Sequence, residues 1–278
     1  MTKLYAEVNG IKICYEERGN GFPVLLVHGF TGKKEDWIGQ WIPLSKYFHV
    51  IRFDNRNGGC SDRPNIPNTL ELLADDIRGL MDFLKIDKAH IIGWSMGGII
   101  VQKFAIKYPE RIEKLILINT VMGAPNEQAV EILVKNSLDE LEFRNKNKEE
   151  AFWTSSRIGY HFKFRKEMEA NPNKKFYGLW SVHDLIENQN INPITQQDII
   201  NQSNALYPPN SYDDLKKIKL NTLLIASSHD RLTTKNALIE LEKIIPNSRL
   251  VIIERAGHNS PISRAPEINK IIIEFLQE

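Results

Sequence analysis

Cysteine is nearly absent: Cys14 and Cys60 are the only two in 278 residues. Two thiols can build neither a disulfide framework nor a Cys-rich zinc site, so a reducing compartment is expected. An excess charge of one sign is also missing. With 36 Lys+Arg against 35 Asp+Glu, the formal net charge is +1, and nothing in that balance would grip a phosphate backbone. Nucleic acid is therefore excluded as the expected partner. Long apolar runs are missing too: stretches such as residues 24–27 and 115–118 fall far short of the roughly 20 residues that span a bilayer. Residues 1–8 contain no apolar segment of the kind found in secretory leaders, so a cytoplasmic protein without a membrane span is expected. There is no internal repeat. At 42% hydrophobic and 26% charged residues, with 16 Gly and 13 Pro, the composition excludes collagen, coiled coil and general disorder. A chain of this length can bury roughly three quarters of its unfolded surface and needs no staples.

What the sequence does contain is an alternation of two periods. Residues 5–8 and 11–16 read as strands separated by Asn9-Gly10, a pair suited to the positive φ angles of a tight hairpin. Pro23-Val24-Leu25-Leu26-Val27 is continuously apolar, as a strand buried on both faces of a parallel sheet must be. Residues 49–53, 89–92, 114–118, 222–226 and 249–253 read as further strands. Helical spacing fills 70–84, 96–108, 235–245 and 268–276. Such alternation predicts βαβ units and a mostly parallel sheet covered by helices. Between residues 121 and 206 the strand signal disappears. That stretch has helical spacing at Val130, Leu133, Val134 and Leu138, and is expected to be a helical insertion over the sheet.

The chemistry concentrates at strand ends. Gly93-Trp94-Ser95-Met96-Gly97-Gly98 follows one predicted strand and opens a helix. A Gly-x-Ser-x-Gly match alone is weak, but in this setting the small residues permit a sharp elbow that lifts the serine hydroxyl above the sheet. The Met96 amide, at the helix start, would point into the same space and could hold an oxyanion. A serine needs a base. Among 7 histidines, His258 lies just after the last predicted strand, where such sheets gather their ligands. His49 and His90 sit at strand starts and read as structural. His161 and His183 fall in the insertion, and His229 adjoins a candidate acid. Asp230, after the strand at 222–226, is the expected orienting carboxylate. Asp54 competes, but Asp54-Asn55-Arg56-Asn57-Gly58-Gly59 reads as a structural turn held by an Asp–Arg pair.

The order Ser95, Asp230, His258 resembles the triad of the α/β-hydrolase superfamily. The resemblance runs from Tyr5 to Phe275, is weakest in the insertion, and rests on Leu26-Val27-His28-Gly29-Phe30, residues 54–61, the elbow, Asp230 and Gly257-His258. It implies an eight-stranded, mostly parallel sheet, with a core of residues 1–120 and 207–278 and a helical cap of 121–206. It further implies that His28-Gly29 shapes the loop whose Phe30 N–H is the second oxyanion donor. Asn57 stands where glycine is common and tolerates a left-handed φ.

Relatives that cleave carbon–halogen bonds or epoxides place Asp at the elbow, where this chain has Ser95. Hydrolases of carbon–carbon bonds in ring-cleavage pathways share the Ser-Met-Gly-Gly elbow but usually carry a Gly-Pro-Gly-like loop after the His-Gly pair. His28-Gly29-Phe30-Thr31-Gly32 with Glu35-Asp36-Trp37 is similar to the menaquinone-pathway succinyl-cyclohexadiene carboxylate synthases. Those enzymes typically have Arg after the elbow glycines, where this chain has Ile99. The expected activity is that of a carboxylesterase or lactonase acting through an acyl-enzyme on small to medium esters, without cofactor or metal, as a monomer or homodimer. The alternatives are a C–C bond hydrolase or a synthase-like lyase with the same triad, and a ligand receptor on a hydrolase scaffold. Phe152, Trp153, Tyr160, Phe162, Phe164, Phe176, Tyr177 and Trp180 are expected to divide between anchoring the cap and lining an apolar pocket over Ser95.

Overall fold

Alternate residues of one strand face two different cores. Leu25 and Val27 belong to one buried cluster, whereas Val24 and Leu26 belong to the other. The computed structural model, which describes residues 3–278, gives this period-two division to a single sheet. Its strands are β1 (Leu4–Val8), β2 (Ile11–Arg18), β3 (Pro23–Val27), β4 (His49–Phe53), β5 (Ala89–Trp94), β6 (Ile112–Ile118), β7 (Thr222–Ser227) and β8 (Ser248–Ile253). They are ordered β1-β2-β4-β3-β5-β6-β7-β8. β1 and β2 form the hairpin expected at Asn9-Gly10, with φ of 48° and 77° at those residues. β2 runs antiparallel to β4, and every pair from β4 to β8 is parallel.

Helices cover both faces. α1 (Trp41–Leu44), α2 (Leu70–Phe83) and α3 (Met96–Lys107) come first. α2 starts where Thr69 Oγ1 accepts the Leu72 N–H at 3.1 Å, and it turns Leu73, Ile77 and Leu80 to the sheet. These side chains pack with Ile100 and Phe104 of α3 against Leu25, Ile51, Ile91 and Leu115. The opposite face buries Trp41 and Leu44 of α1 with Ile268, Ile272 and Phe275 of the last helix against Val24, Val50, Ile92 and Ile116.

Between β6 and β7 lie α4 (Glu127–Lys146), α5 (Lys148–Gly159), α6 (Phe162–Ala170), α7 (Val182–Asn190), α8 (Gln196–Ser203) and α9 (Tyr212–Leu215). No sheet strand falls in this interval among the described residues; one isolated bridge joins Phe176 to Trp180. Phe152, Tyr160, Phe176 and Trp180 are buried together with sheet residues, whereas Phe162 and Tyr177 are 54% and 44% exposed. The chain closes with α10 (Lys235–Ile244), α11 (Ser260–Ser263) and α12 (Ala265–Gln277). No helix among the described residues is long and apolar enough to cross a membrane. Met1 and Thr2, part of the segment read for a secretory leader, lie outside the described residues.

Two expectations are corrected here. Cys14 and Cys60 are joined in a disulfide, not left as the reduced pair expected. Cys14 N donates to Ser61 Oγ at 2.8 Å and Asp54 N to Cys14 O at 2.9 Å. These bonds fold the loop after β4 back onto β2 and bring the two Cα atoms to 5.5 Å, across 46 positions of sequence. The second correction concerns Asp54, which does not pair with Arg56. Its carboxylate accepts from Lys34 N at 2.7 Å, Lys34 Nζ at 3.2 Å and Cys60 N at 2.9 Å. Arg56 instead makes a forked pair with Asp76 on α2. The turn is held, but by a lysine from the loop after β3 that sequence spacing does not reveal.

Candidate active site

Ser95 is the hinge between β5 and α3, at φ 58° and ψ −125°. For a residue with a side chain this is a strained conformation, costing on the order of 1–3 kcal/mol, and it persists only where the surroundings enforce it. They do so from several directions. Ser95 N donates to Ile118 O at 3.0 Å, and Ser95 O accepts from Gly98 N at 2.9 Å and from Thr120 Oγ1 at 2.7 Å. A Cβ on Gly97 would lie 2.1 Å from Val27 O, and one on Gly93 2.5 Å from Gly97 O. The elbow glycines therefore allow β3, β5 and α3 to approach as backbone against backbone.

That approach brings the loop after β3 to the serine. A Cβ on Gly29 would stand 2.9 Å from Ser95 Cβ. His28 is wholly buried and acts as the pin of this loop: Asn55 N donates to its Nε2 at 3.0 Å, so its protonated Nδ1 donates to Gly29 O at 2.9 Å. No hydrogen-bond acceptor for the Phe30 or Met96 N–H is found among the described residues, as expected for a helix N1 amide in the case of Met96.

The loops after β7 and β8 bring the expected acid and base together. Asp230 Oδ2 lies 2.8 Å from His258 Nδ1, and both residues are 7% exposed. Because a carboxylate only accepts, Nδ1 carries the proton, and the lone pair is left on Nε2. Leu232 N and Thr233 N donate to Asp230 Oδ1 at 2.8 and 2.9 Å, and Thr233 Oγ1 to Oδ2 at 2.8 Å. Burial alone would raise the Asp230 carboxyl, but the hydrogen bond and charge of His258, with Thr233, hold it below the usual carboxylate range. The His258 backbone is fixed by Trp94 Nε1 and Asn119 Nδ2, which donate to its carbonyl at 3.1 and 2.8 Å. The Trp94 and His258 rings stand 6.0 Å apart, which puts the imidazole beside the elbow. Ser95 Oγ itself makes no hydrogen bond to His258 among the described residues.

Several contributors were not read from the sequence. Gln202 of α8, fully buried, accepts from Thr31 N at 2.8 Å and donates to Asn57 O at 2.7 Å, so it clamps the residue after Phe30. Asn119, Thr233 and Trp94 are the others. Trp94 and Asn119 sit at the carboxyl ends of strands and Thr233 in the loop after β7, which is the signal that could have found them. His229 bonds to Ser228 and not to Asp230, and His183 is exposed. A cavity of about 690 Å³ is lined by His90, Lys114, Asn221 and Ser248 at the starting ends of strands. It lies at the end of the sheet opposite Ser95 and is not part of this site.

A parallel sheet of this order, with a serine on a strained strand-to-helix elbow and a His–Asp pair on the loops after its last two strands, defines an α/β hydrolase. The chain belongs to that family: residues 23–265 match the family described as "alpha/beta hydrolase fold". The chain is similar to the enol-lactonase of Burkholderia xenovorans LB400, at 27% identity and a TM-score of 0.82, covering 99% of this chain and 100% of that one. It is also similar to a thermophilic esterase from Thermogutta terrifontis, at 26% identity and a TM-score of 0.76, covering 100% and 98% of the two chains. A Bacillus subtilis (strain 168) protein, provisionally named a 2-succinyl-6-hydroxy-2,4-cyclohexadiene-1-carboxylate synthase, is 27% identical over 91% of this chain and 89% of its own length.

Proposed function

We propose that the protein is a serine hydrolase of small to medium carboxylic esters or lactones. The observation that carries this reading is the His258–Asp230 pair, with its Nε2 lone pair free, beside a serine at φ 58°. Ser95 Oγ attacks the carbonyl carbon while His258 Nε2 takes its proton. The Phe30 and Met96 amides receive the oxyanion, and donors of this kind are each worth about 10²–10³ in rate. His258 then protonates the departing alkoxide, leaving an acyl-Ser95 ester. Water, deprotonated by the same imidazole, releases the acid and restores the serine. The Ser95–His258 hydrogen bond forms in the substrate complex, where such contacts tighten.

We further infer that residues 1–120 and 207–278 form the hydrolase core and that 121–206 form a cap over it. The enol-lactonase and esterase likenesses support the ester and lactone class. The synthase likeness supports a lyase on the same triad, but Ile99, 3% exposed within the apolar core, offers no cation for a substrate carboxylate at that position. The test is turnover of a panel of p-nitrophenyl acyl esters and lactones beside a ring-cleavage dienone and a succinyl-cyclohexadiene precursor. Multiple turnover of esters or lactones, lost in Ser95→Ala, supports the proposal. Turnover of only the dienone or the precursor assigns the triad to the rival chemistry. A single stoichiometric burst assigns a receptor-like role.

A further inference from the structure

A second cleft, of about 260 Å³, opens between the α5–α6 corner and the loop that follows β7. Arg157, Arg165 and Arg231 line it together with His161 and His229, and no carboxylate does. Some cations on the helices between β6 and β7 are matched along their own helix, as in Lys135–Asp139 and Lys146–Glu142. Here Arg157 and Arg231 form neither an ion pair nor a hydrogen bond among the described residues. Arg165 stands 3.4 Å from Glu169, yet its Nε is buried without a hydrogen bond.

Two histidine rings complete the lining. His161 is 7% exposed, and its Nδ1 accepts the Lys163 N–H at 3.4 Å, so the proton sits on Nε2. Ser228 Oγ accepts the Arg255 N–H at 2.9 Å and lies 2.8 Å from His229 Nδ1, which fixes that ring at the edge of the cleft. The rings meet edge-on with centroids 4.6 Å apart. Burial first, and then the positive groups His229, Lys163, Arg255 and Arg264 nearby, push the His161 pKa down. A cavity lined by three guanidinium groups and no carboxylate suits oxyanions, and the planar guanidinium fork matches carboxylate or phosphate oxygens in pairs. Ile158 and Phe162, 46% and 54% exposed, supply an apolar rim.

We propose that this cleft binds a small organic polyanion carrying phosphate or carboxylate groups, at a site separate from Ser95. The proposal does not depend on the hydrolase reading, because the measurement is of binding alone. Inorganic pyrophosphate and citrate are titrated by calorimetry into the full chain at constant ionic strength, with wild type, R157Q/R165Q and the charge-matched control K135Q/K146Q. Saturable binding of at least one probe is expected in wild type and in the control, weakened about tenfold or more in R157Q/R165Q. Preference for pyrophosphate assigns phosphate as the ligand group; preference for citrate assigns carboxylate. Either no saturable binding of both probes up to about 10 mM, equal affinity in R157Q/R165Q, or equal loss in K135Q/K146Q would overturn the proposal.

Discussion

Two aspartates at the carboxyl ends of strands differ in what surrounds them, and that difference separates the proposed catalytic acid from a structural one. Asp230 accepts from His258 and from the Thr233 hydroxyl, so its charge fixes a tautomer. Asp54 accepts from Lys34, an ammonium whose side chain is wholly buried, so its charge neutralises a cation. Asp230→Asn should therefore lower kcat by several orders of magnitude, about 10⁴-fold where the same change was made in a serine protease, with little change in melting temperature. Asp54→Asn should do the reverse: stripping a buried pair of one partner costs about 3–5 kcal/mol, and somewhat less here because Glu35 still holds Lys34 Nζ at 2.6 Å, while the fraction that folds stays active. Unfolding curves and kcat for both variants check the ranking. An inactive but normally stable Asp54→Asn would refute the acid assignment. His90 gives a pH prediction of definite sign. Burial, and then the charge of Lys114, lower its pKa to about 4, against about 6.5 in the unfolded chain. Between those values the unfolded state binds more protons, so stability is complete above about 6.5 and falls as pH drops toward 4. Urea unfolding between those limits should show a shallower decline in His90→Gln than in wild type.

At the scale of elements, what could be read from sequence was whatever depends on neighbours along the chain. The apolar run of β3, the 3–4 spacing of α2 and the Gly-flanked serine between strand and helix are local patterns, and each lies where its pattern puts it. The order Ser95, Asp230, His258 could be read because each follows a recognisable strand. What could not be read are pairings between distant segments. Gln202 reaches across 171 positions to Thr31. Lys34 neutralises Asp54 in place of the nearer Arg56, and Cys14 meets Cys60 through a returning loop. Gln202 makes this consequential. Its amide holds the Phe30 loop to the Asn57 turn, so Gln202→Ala should let the Phe30 N–H drift. We expect kcat to fall about tenfold, less than the 10²–10³ for outright loss of an oxyanion donor, with KM little changed. Gln202→Glu, which keeps an acceptor for Thr31 N, should recover part of that loss. A change in KM alone would mean that α8 acts on substrate entry and not on the oxyanion loop.

For the whole molecule, the sheet supplies the strand ends that carry the site, and we propose that the helices between β6 and β7 form a cap over them. Phe152, Tyr160, Phe176 and Trp180 are spent on anchoring those helices; Trp153 and Phe164, partly buried against the same cluster, are the aromatics we propose for a substrate pocket. If an acyl chain is gripped there, each added carbon contributes about 0.8 kcal/mol until the pocket fills. kcat/KM should then rise over short acyl chains and fall past a cutoff that Trp153→Ala and Phe164→Ala displace. A flat profile would show that these helices do not select substrate. The central claim, that this fold strains Ser95 in order to make it a nucleophile, is tested most directly by fluorophosphonate labelling read out by peptide mass spectrometry. The account predicts one adduct per chain, on the peptide bearing Ser95, slowed in Asp230→Asn and absent in folded Ser95→Ala. An unlabelled wild type, or an adduct that persists in Ser95→Ala, would contradict it.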